Sequence, residues 1–263
     1  MNWSTYIDGL LACIALSCLI WLISLYKRDV SIVDAAWSHL FVIACLFYIT
    51  EINLPTIAIF SLLLIWASRL SLHIILRSWG ESEDRRYQEI RKKYSPGFPL
   101  KSLFIVFLFQ AVLAWILTLP LFTIFHNKFE FGIISIIATS VVIFGICYES
   151  IADWKLLQFK KKNNNSEILC SGLWKYSRHP NYFGEALVWW GFYLFALEQG
   201  YWWSIVSPLL ITYLLLKFSG ITLLEASITN RRPKYRDYIY STNAFFPGPN
   251  RKFKQVSNTV KNS

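Results

Sequence analysis

Apolar side chains fall in seven runs, separated by connections that are mostly polar and often basic. The runs are residues 6–26, 30–50, 54–79, 103–125, 131–153, 182–197 and 202–224. Most are close to the roughly 20 residues that a helix needs to cross the hydrocarbon core of a bilayer. The pattern predicts an all-α, polytopic integral membrane protein with seven transmembrane helices. The sixth run is short, and Pro120 predicts a kink near one end of the fourth helix.

The composition agrees with this pattern. Hydrophobic residues make up 55% of the 263 residues and charged residues only 16%, whereas soluble domains carry about 25% charged residues. These values exclude a disordered chain and most soluble enzymes. The five cysteines have no paired spacing, so neither a disulfide framework nor a zinc ribbon is predicted.

The distribution of basic residues predicts the orientation of the chain in the membrane. Nearly all of the 26 Lys and Arg residues lie in or beside the first, third and fifth connections or in the C-terminal tail, the exceptions being Arg69, Lys128 and Lys217. The positive-inside rule then places the N-terminus outside and the C-terminus in the cytoplasm. The net charge of +10 thus reflects topology, and no nucleic-acid partner is predicted. The membrane would be a bacterial inner membrane or the endoplasmic reticulum, and no cleaved signal peptide is predicted.

Ionisable residues inside the predicted spans are the first candidates for function, because a charge at the bilayer centre costs about 2.5–3.5 kcal/mol on insertion scales. They follow helical spacing on five spans: Asp34; Arg69, His73 and Arg77; Glu149 and Asp153; Asn181 and Glu185; Lys217 and Glu225. We expect these stripes to line one polar chamber open to the cytoplasm. The alternative is that each acid pairs with a neighbouring base and only orients helices.

Several chemistries have no signature in the chain. No Gly-rich dinucleotide fingerprint, P-loop or nucleophile elbow occurs. The four histidines, His39, His73, His126 and His179, lack the spacing of metal ligands, so no metal is predicted. The acids and bases present suit proton transfer and anion binding.

One motif carries a family resemblance. Residues 172–185, G-L-W-K-Y-S-R-H-P-N-Y-F-G-E, resemble the C-terminal motif of the steroid 5α-reductase superfamily, and most closely its bacterial-type branch. The segments R-L-S-L-H-I-I-L-R (69–77), E-D-R-R-Y (83–87) and V-D-A-A-W-S (33–38) agree with that branch, as does the tail with Glu225, Tyr235 and Tyr238. The resemblance extends from about residue 30 to 250.

The resemblance implies a seven-helix, NADPH-dependent reductase of an activated C=C bond in a lipid or steroid-like enone. As partners we expect this substrate and membrane lipids, with the chain as a monomer. The resemblance implies a substrate side in residues 1–128 and a cofactor side in residues 129–263. The implied cofactor-binding residues are Arg69, Arg77, Asp153, Arg178, His179, Asn181, Glu185 and Tyr235.

The chain departs from the animal steroid reductases at important positions. Trp66 stands where they have the Tyr that grips the carbonyl, Glu149 stands where they have Asn, and Asp34 is a substitute for their span 2 Glu. Hydride addition to an enone builds negative charge on the carbonyl oxygen, so a proton donor there lowers the barrier. Asp34, if buried and protonated, and His73 are the two candidates for this catalytic role.

Two other functions remain open. Membrane methyltransferases of the isoprenylcysteine carboxyl or phospholipid type share an R-H-P-x-Y-x-G segment and a downstream Glu, and bind S-adenosylmethionine in a related pocket. Asn181, Glu185 and the E-D-R-R-Y segment favour the reductase. A transporter or assembly factor would keep the polar stripes but would need no nucleotide site.

Overall fold

A computed structural model describes residues 2–162, 167–218, 221, 225, 228 and 235–251. Within these residues every regular element is helical and none is a strand, which confirms the all-α class. We number the α-helices in chain order: α1 Trp3–Lys27, α2 Ile32–Tyr48, α3 Leu54–Ser78, α4 Arg85–Lys93, α5 Phe98–Ser102, α6 Phe109–Leu117, α7 Leu119–Phe125, α8 Ile133–Lys162, α9 Pro180–Glu198, α10 Val206–Tyr213 and α11 Tyr235–Ser241. A π-helix, Leu103–Leu108, joins α5 to α6, a second covers Leu214–Phe218, and 3₁₀ turns cover Gly172–Lys175 and Trp202–Ile205.

The chain forms two compact units. The first unit is Met1–Ile146 with Leu187–Ile211, and the second is Cys147–Ala186 with Thr212–Ser263. Helices α8 and α9 each contribute one part to each unit. The predicted division at residue 128 into a substrate side and a cofactor side stays a prediction.

Local sequence signals explain where several helices begin. The side chains of Asn2, Asn53 and Asp84 each accept a hydrogen bond from a backbone N–H in the first turn of α1, α3 and α4, which satisfies donors that a helix leaves open at its start. Pro120 lies in the first turn of α7, directly after the break at Thr118, where a proline is tolerated. A helix break thus lies at Thr118, two residues before Pro120, and the kink itself stays a prediction.

Four helices among the described residues are long and apolar enough to cross a membrane: Trp3–Lys27, Leu54–Ser78, Phe98–Leu117 and Ile133–Lys162. Ile32–Tyr48 and Trp202–Lys217 are shorter apolar helices. Large apolar side chains such as Leu19 and Ile136 are exposed on these helices, a surface that lipid covers favourably. The protein is a multi-pass integral membrane protein. The count of seven spans and their orientation stay predictions.

In the first unit, α2 packs between α1 and α3, and α6 packs against α1 and α2. Gly9 allows α1 to approach α2 closely, because a Cβ atom there would collide with the Tyr48 ring. Three fully buried aromatic rings pack together in this unit: Phe41, Trp66 and Trp189, with centroids 4.7–5.5 Å apart. Such rings contribute both buried area and edge-to-face attraction.

Glu198, the last residue of α9, caps the start of α8. Its Oε1 accepts a hydrogen bond from the Ile134 amide at 2.8 Å, and its Oε2 accepts from the Ser135 hydroxyl and from the Gly132 amide. A carboxylate at a helix N-terminus is also favoured by the helix dipole. The ends of α8 and α9 are therefore joined within the first unit.

Candidate functional site

The second unit holds the motif that carries the family resemblance. Its 3₁₀ turn, Gly172–Lys175, lies against α8, because Trp174 Nε1 donates a hydrogen bond to the Ala152 carbonyl at 3.1 Å. Gly172 has φ +62° and lies so close to Lys155 that a Cβ atom would collide with its side chain. The left-handed conformation favours glycine here, whereas the Lys155 side chain could move aside for a Cβ atom.

The C-terminal tail closes over the same motif through backbone carbonyls. The Arg178 amide donates to the Asn243 carbonyl at 2.9 Å, and the Ser177 hydroxyl donates to the Phe245 carbonyl at 2.9 Å. Tyr238 on α11 is buried, and its hydroxyl donates to the carbonyls of Trp174 and Ser177. Residues 172–179 and 238–245 thus form one hydrogen-bonded structure.

Arg178 is the centre of this structure. Its Nε and Nη2 donate to Glu225 Oε1 and Oε2 at 2.6 and 3.0 Å, and its Nη1 donates to the carbonyls of Ile239 and Thr242. The Arg178 side chain is only 8% exposed. We call Arg178 with these partners the Arg178 clamp. Because the guanidinium fork is committed to Glu225 and two carbonyls, the clamp leaves little of Arg178 to bind a phosphate.

Beside the clamp, His179 Nε2 lies 3.0 Å from Glu225 Oε1, and the His179 ring stacks on Tyr182. Asn181 follows in the first turn of α9, which begins at Pro180. The Asn181 Oδ1 atom is buried and has no hydrogen-bond partner within the part of the chain that the structure describes. A buried acceptor without a donor is costly, so this amide oxygen is suited to accept a hydrogen bond from a ligand.

The second unit also concentrates buried carboxyl groups. Asp153 on α8 is 4% exposed and Glu185 on α9 is 5% exposed, and Glu149 lies one helical turn before Asp153, also buried. Tyr235 on α11 is buried beside Tyr238, with ring centroids 5.6 Å apart. Carboxyl groups are rarely buried unless they are paired or have a function. The predicted cofactor residues of this unit therefore lie in its buried interior, with Asn181 at the start of α9.

The first unit holds the other predicted residues, and Asp34 belongs to a hydrogen-bonded chain there. Asp34 Oδ2 lies 2.7 Å from Arg86 Nη2, and Asp34 Oδ1 accepts from the Tyr87 hydroxyl at 2.5 Å. Gln110 Nε2 in turn donates to the Tyr87 oxygen at 3.2 Å. We call Arg86, Asp34, Tyr87 and Gln110 the Asp34 chain. Both Asp34 oxygens act as acceptors, which is the arrangement of an ionised carboxylate and not of a proton donor.

The E-D-R-R-Y segment also binds the α1–α2 connection. Glu83 accepts two hydrogen bonds from Arg91, at 2.6 and 2.9 Å, and one from the Val30 amide at 2.9 Å. Burial alone would raise the pKa of Glu83, but the hydrogen bonds from Arg91 and Val30 and the charge of Arg91 together lower it below its ordinary value. Glu83 is therefore a structural carboxylate that joins α4 to the α1–α2 connection.

The three basic residues of α3 become more exposed toward the C-terminal end of the helix. Trp66 is fully buried, Arg69 and His73 are half-buried, and Arg77 is exposed. Their spacing puts them along one side of α3. The predicted site residues thus divide between the units, with Asp34, Arg69, His73 and Arg77 in the first and the other six in the second. Their convergence on one chamber stays a prediction.

Sequence reasoning missed the partners that organise both clusters. It did not pair Glu225 with Arg178, and it gave no role to Tyr87 or Gln110. Gln110 did have a signal, because it is an amide side chain inside the apolar run 103–125, where polar groups are costly. The pairing of Arg178 with Glu225 spans 47 residues and has no local signal.

The buried polar clusters and the long apolar helices define a multi-pass membrane protein with ionisable groups inside its helical units. A family model described as "Protein of unknown function (DUF1295)" matches residues 20–242, and the chain belongs to this family. It is also 26% identical, over 94% of its length and 80% of the relative's, to "Uncharacterized protein C594.04c" of Schizosaccharomyces pombe. No solved structure matches the chain.

Proposed function

We propose that the protein is a membrane-embedded, NADPH-dependent reductase of an activated C=C bond in a lipid or steroid-like enone. One observation carries the proposal: the Asn181 Oδ1 acceptor, buried without a partner among the described residues at the start of α9. An asparagine amide matches the carboxamide of a nicotinamide ring, because each group has one acceptor and N–H donors. When bound, NADPH would supply a hydride.

The residues of the second unit fit such a cofactor in part. Asn181 would accept an N–H of the carboxamide, and the first turn of α9 would offer backbone N–H groups to an anion. The guanidinium of Arg178 is already hydrogen-bonded to its partners in the clamp. We therefore propose that Arg178 is a positioning residue that orients α9, and not a phosphate ligand. The roles of His179, Asp153, Glu185 and Tyr235 toward the cofactor stay part of the proposal.

For the proton donor we propose His73 rather than Asp34. Both oxygens of Asp34 accept hydrogen bonds from Arg86 and Tyr87, so its carboxylate holds no proton to give. His73 is half-buried on α3, on the same side of that helix as Arg69. Histidine titrates near neutral pH and is suited to protonate an oxygen that gains charge. His73→Gln should therefore lower turnover and leave NADPH affinity unchanged.

As the substrate we propose a flexible lipid rather than a steroid that is bound in the way of the animal enzymes. Trp66, which stands where those enzymes are expected to have their carbonyl-gripping Tyr, is fully buried against Phe41 and Trp189. A screen of NADPH oxidation over steroidal enones and unsaturated lipid carbonyls would identify the substrate.

The decisive experiment compares binding of NADPH and S-adenosylmethionine to the purified protein in detergent. We expect saturable NADPH binding that Asn181→Ala weakens about tenfold, the value of one hydrogen bond of about 1.4 kcal/mol. Asn127→Ala, which changes an amide that bonds the Thr123 carbonyl, is the matched control and should leave the affinity unchanged. Binding of S-adenosylmethionine without NADPH would reject the reductase in favour of a methyltransferase. Binding of neither would favour a transporter or assembly factor.

A further inference from the structure

In the Asp34 chain, the donor and the acceptor of each hydrogen bond are fixed by the chemistry of the groups. A guanidinium only donates and an ionised carboxylate only accepts, so hydrogen bonds enter Asp34 from Arg86 and from Tyr87. The single proton of the Tyr87 hydroxyl is used in this way, and burial, with the charge of Asp34 added, raises the pKa of Tyr87 well above its ordinary value and keeps that proton in place. The Gln110 amide must then turn its Nε2 donor toward the Tyr87 oxygen.

This direction leaves the Gln110 oxygen as the last acceptor of the chain. Gln110 Oε1 is buried and has no hydrogen-bond partner among the residues described above. Leaving such an atom unsatisfied in the folded protein is costly. The π-helix Leu103–Leu108 ends two residues before Gln110, and π-helical turns within α-helices are frequent at functional sites. Two independent features therefore mark the same position.

The surroundings of this acceptor are apolar. Tyr87 packs in a buried cluster with Val33, Phe98 and Phe107. Gln110 itself lies within Phe98–Leu117, one of the four helices suited to cross the membrane, and its neighbour Phe109 is 47% exposed. The described residues that pack with Tyr87, the hydrogen-bond partner of Gln110, are therefore apolar, and an apolar side chain next to Gln110 is exposed on the same helix.

We infer that Gln110 Oε1 is the recognition atom of a binding site for a lipid that carries a hydroxyl group on an otherwise apolar body. The lipid hydroxyl would donate to Oε1 and complete the chain Arg86, Asp34, Tyr87, Gln110, while its hydrocarbon part would lie beside the apolar residues of the Tyr87 cluster. This inference is separate from the proposed reductase function, because it requires no nucleotide and uses no residue of the second unit.

The test uses two probes, hexadecanol and its methyl ether, in which a methyl group replaces the hydroxyl proton and removes the donor. Their affinities are measured from the rise in melting temperature with probe concentration, on the full-length protein in phosphatidylcholine nanodiscs. We expect wild type to bind the alcohol about tenfold more tightly than the ether, as one additional hydrogen bond implies. Equal affinities for wild type would overturn the inference without any variant.

Gln110→Leu tests whether the preference for the alcohol depends on Gln110. It removes the buried acceptor together with the Nε2 donor to the Tyr87 oxygen, so the readout is the ratio of the two probe affinities within the variant, and the preference for the alcohol should disappear. Gln199→Leu makes the same chemical change beyond the end of α9, where the amide makes a 3.4 Å bond to the Glu130 carbonyl, and should keep the preference. A preference that survives in Gln110→Leu would overturn the inference. NADPH binding, measured on the same samples, reports on the proposed function separately.

Discussion

Each unit contains an arginine that forms an ion pair with a carboxylate distant in sequence, but the two pairs differ in burial. Arg178 and Glu225 in the second unit are 8% and 15% exposed, whereas Arg86 and Asp34 in the first unit are 45% and 20% exposed. Exposed ion pairs contribute little because water and salt screen them, while breaking a buried pair strands a charge. The two pairs therefore have different structural consequences.

The hydrogen bonds around the two pairs also differ. The Arg178 clamp uses its remaining donors on the carbonyls of Ile239 and Thr242, so it closes on the tail of its own unit. The Asp34 chain continues through Tyr87 to Gln110 and ends in an open acceptor. The comparison indicates that the buried arginine stabilises structure, whereas the half-exposed one begins a chain that ends at the acceptor for which we infer a lipid ligand.

The largest effect is expected for Arg178→Ala. The change removes both Arg178 hydrogen bonds to the buried Glu225, which keeps its contact with His179, and it removes the hydrogen bonds to the tail, which together should cost about 3–5 kcal/mol. Thermal unfolding in detergent measures the loss, and Arg236→Ala, at an exposed position on α11, is the control. An unchanged melting temperature together with a raised NADPH Michaelis constant would contradict the clamp and restore Arg178 as a cofactor ligand.

Tyr87→Phe should have the next largest effect. It removes the donor to Asp34 Oδ1 and the acceptor of Gln110 Nε2, so we expect a loss of about 1–3 kcal/mol. Chemical or thermal unfolding measures it. Tyr26→Phe removes a hydroxyl from a side chain that is 90% exposed and should be neutral. If the two variants unfold alike, the hydroxyl of Tyr87 is not part of a stabilising chain.

A smaller effect is expected for the contribution of Glu83 to the pH dependence of stability. Its pKa is lowered in the folded protein, so its ionised form stabilises the fold above the ordinary glutamate pKa of about 4.3. This contribution, roughly 1 kcal/mol because Arg91 is partly exposed, is lost as the pH falls through that value and then through the folded pKa. Melting temperatures between neutral and acidic pH should fall less for Glu83→Gln than for wild type. Parallel curves would show that Glu83 has no such role.

Arg86→Ala should have the smallest effect on stability. Its pair with Asp34 is open to water, so we expect a loss of only about 0.2–1 kcal/mol, smaller still at high salt. Arg85→Ala, at the neighbouring exposed position, is the control. A loss as large as that of Arg178→Ala would remove the contrast between the two units.

The hydrophobic pattern predicted the existence of the helices well and their ends less well. The run 131–153 corresponds to α8, but α8 continues to Lys162. Its 30 residues span about 45 Å, which exceeds a hydrocarbon core of about 30 Å. Hydropathy marks where apolar residues stop, whereas a helix continues as long as its backbone hydrogen bonds and side chains allow. The hydrophobic pattern therefore could not predict that α8 extends to Lys160–Lys162.

The candidate site was predicted as a set of residues but not as a set of contacts. Asp34 was recognised because a charged group inside an apolar run is conspicuous, and Arg178 and His179 were recognised because they belong to the motif that carries the family resemblance. Their partners Arg86, Tyr87 and Glu225 are 46 to 53 residues away, and one sequence carries no signal for such pairing. For this reason Asp34 was expected as a neutral acid, although the structure surrounds it with donors.

The carboxylate of Glu198 has a consequence for biosynthesis. The amide of Ile134 finds its acceptor 64 residues further along the chain, so the first turn of α8 stays open to other acceptors while the intervening segment is still on the ribosome. Only when α9 has been translated to its last residue does that turn acquire its cap. The cap of α8 is thus completed only by the last residue of α9, and we expect a nascent chain that stops before Glu198 to leave the beginning of α8 frayed.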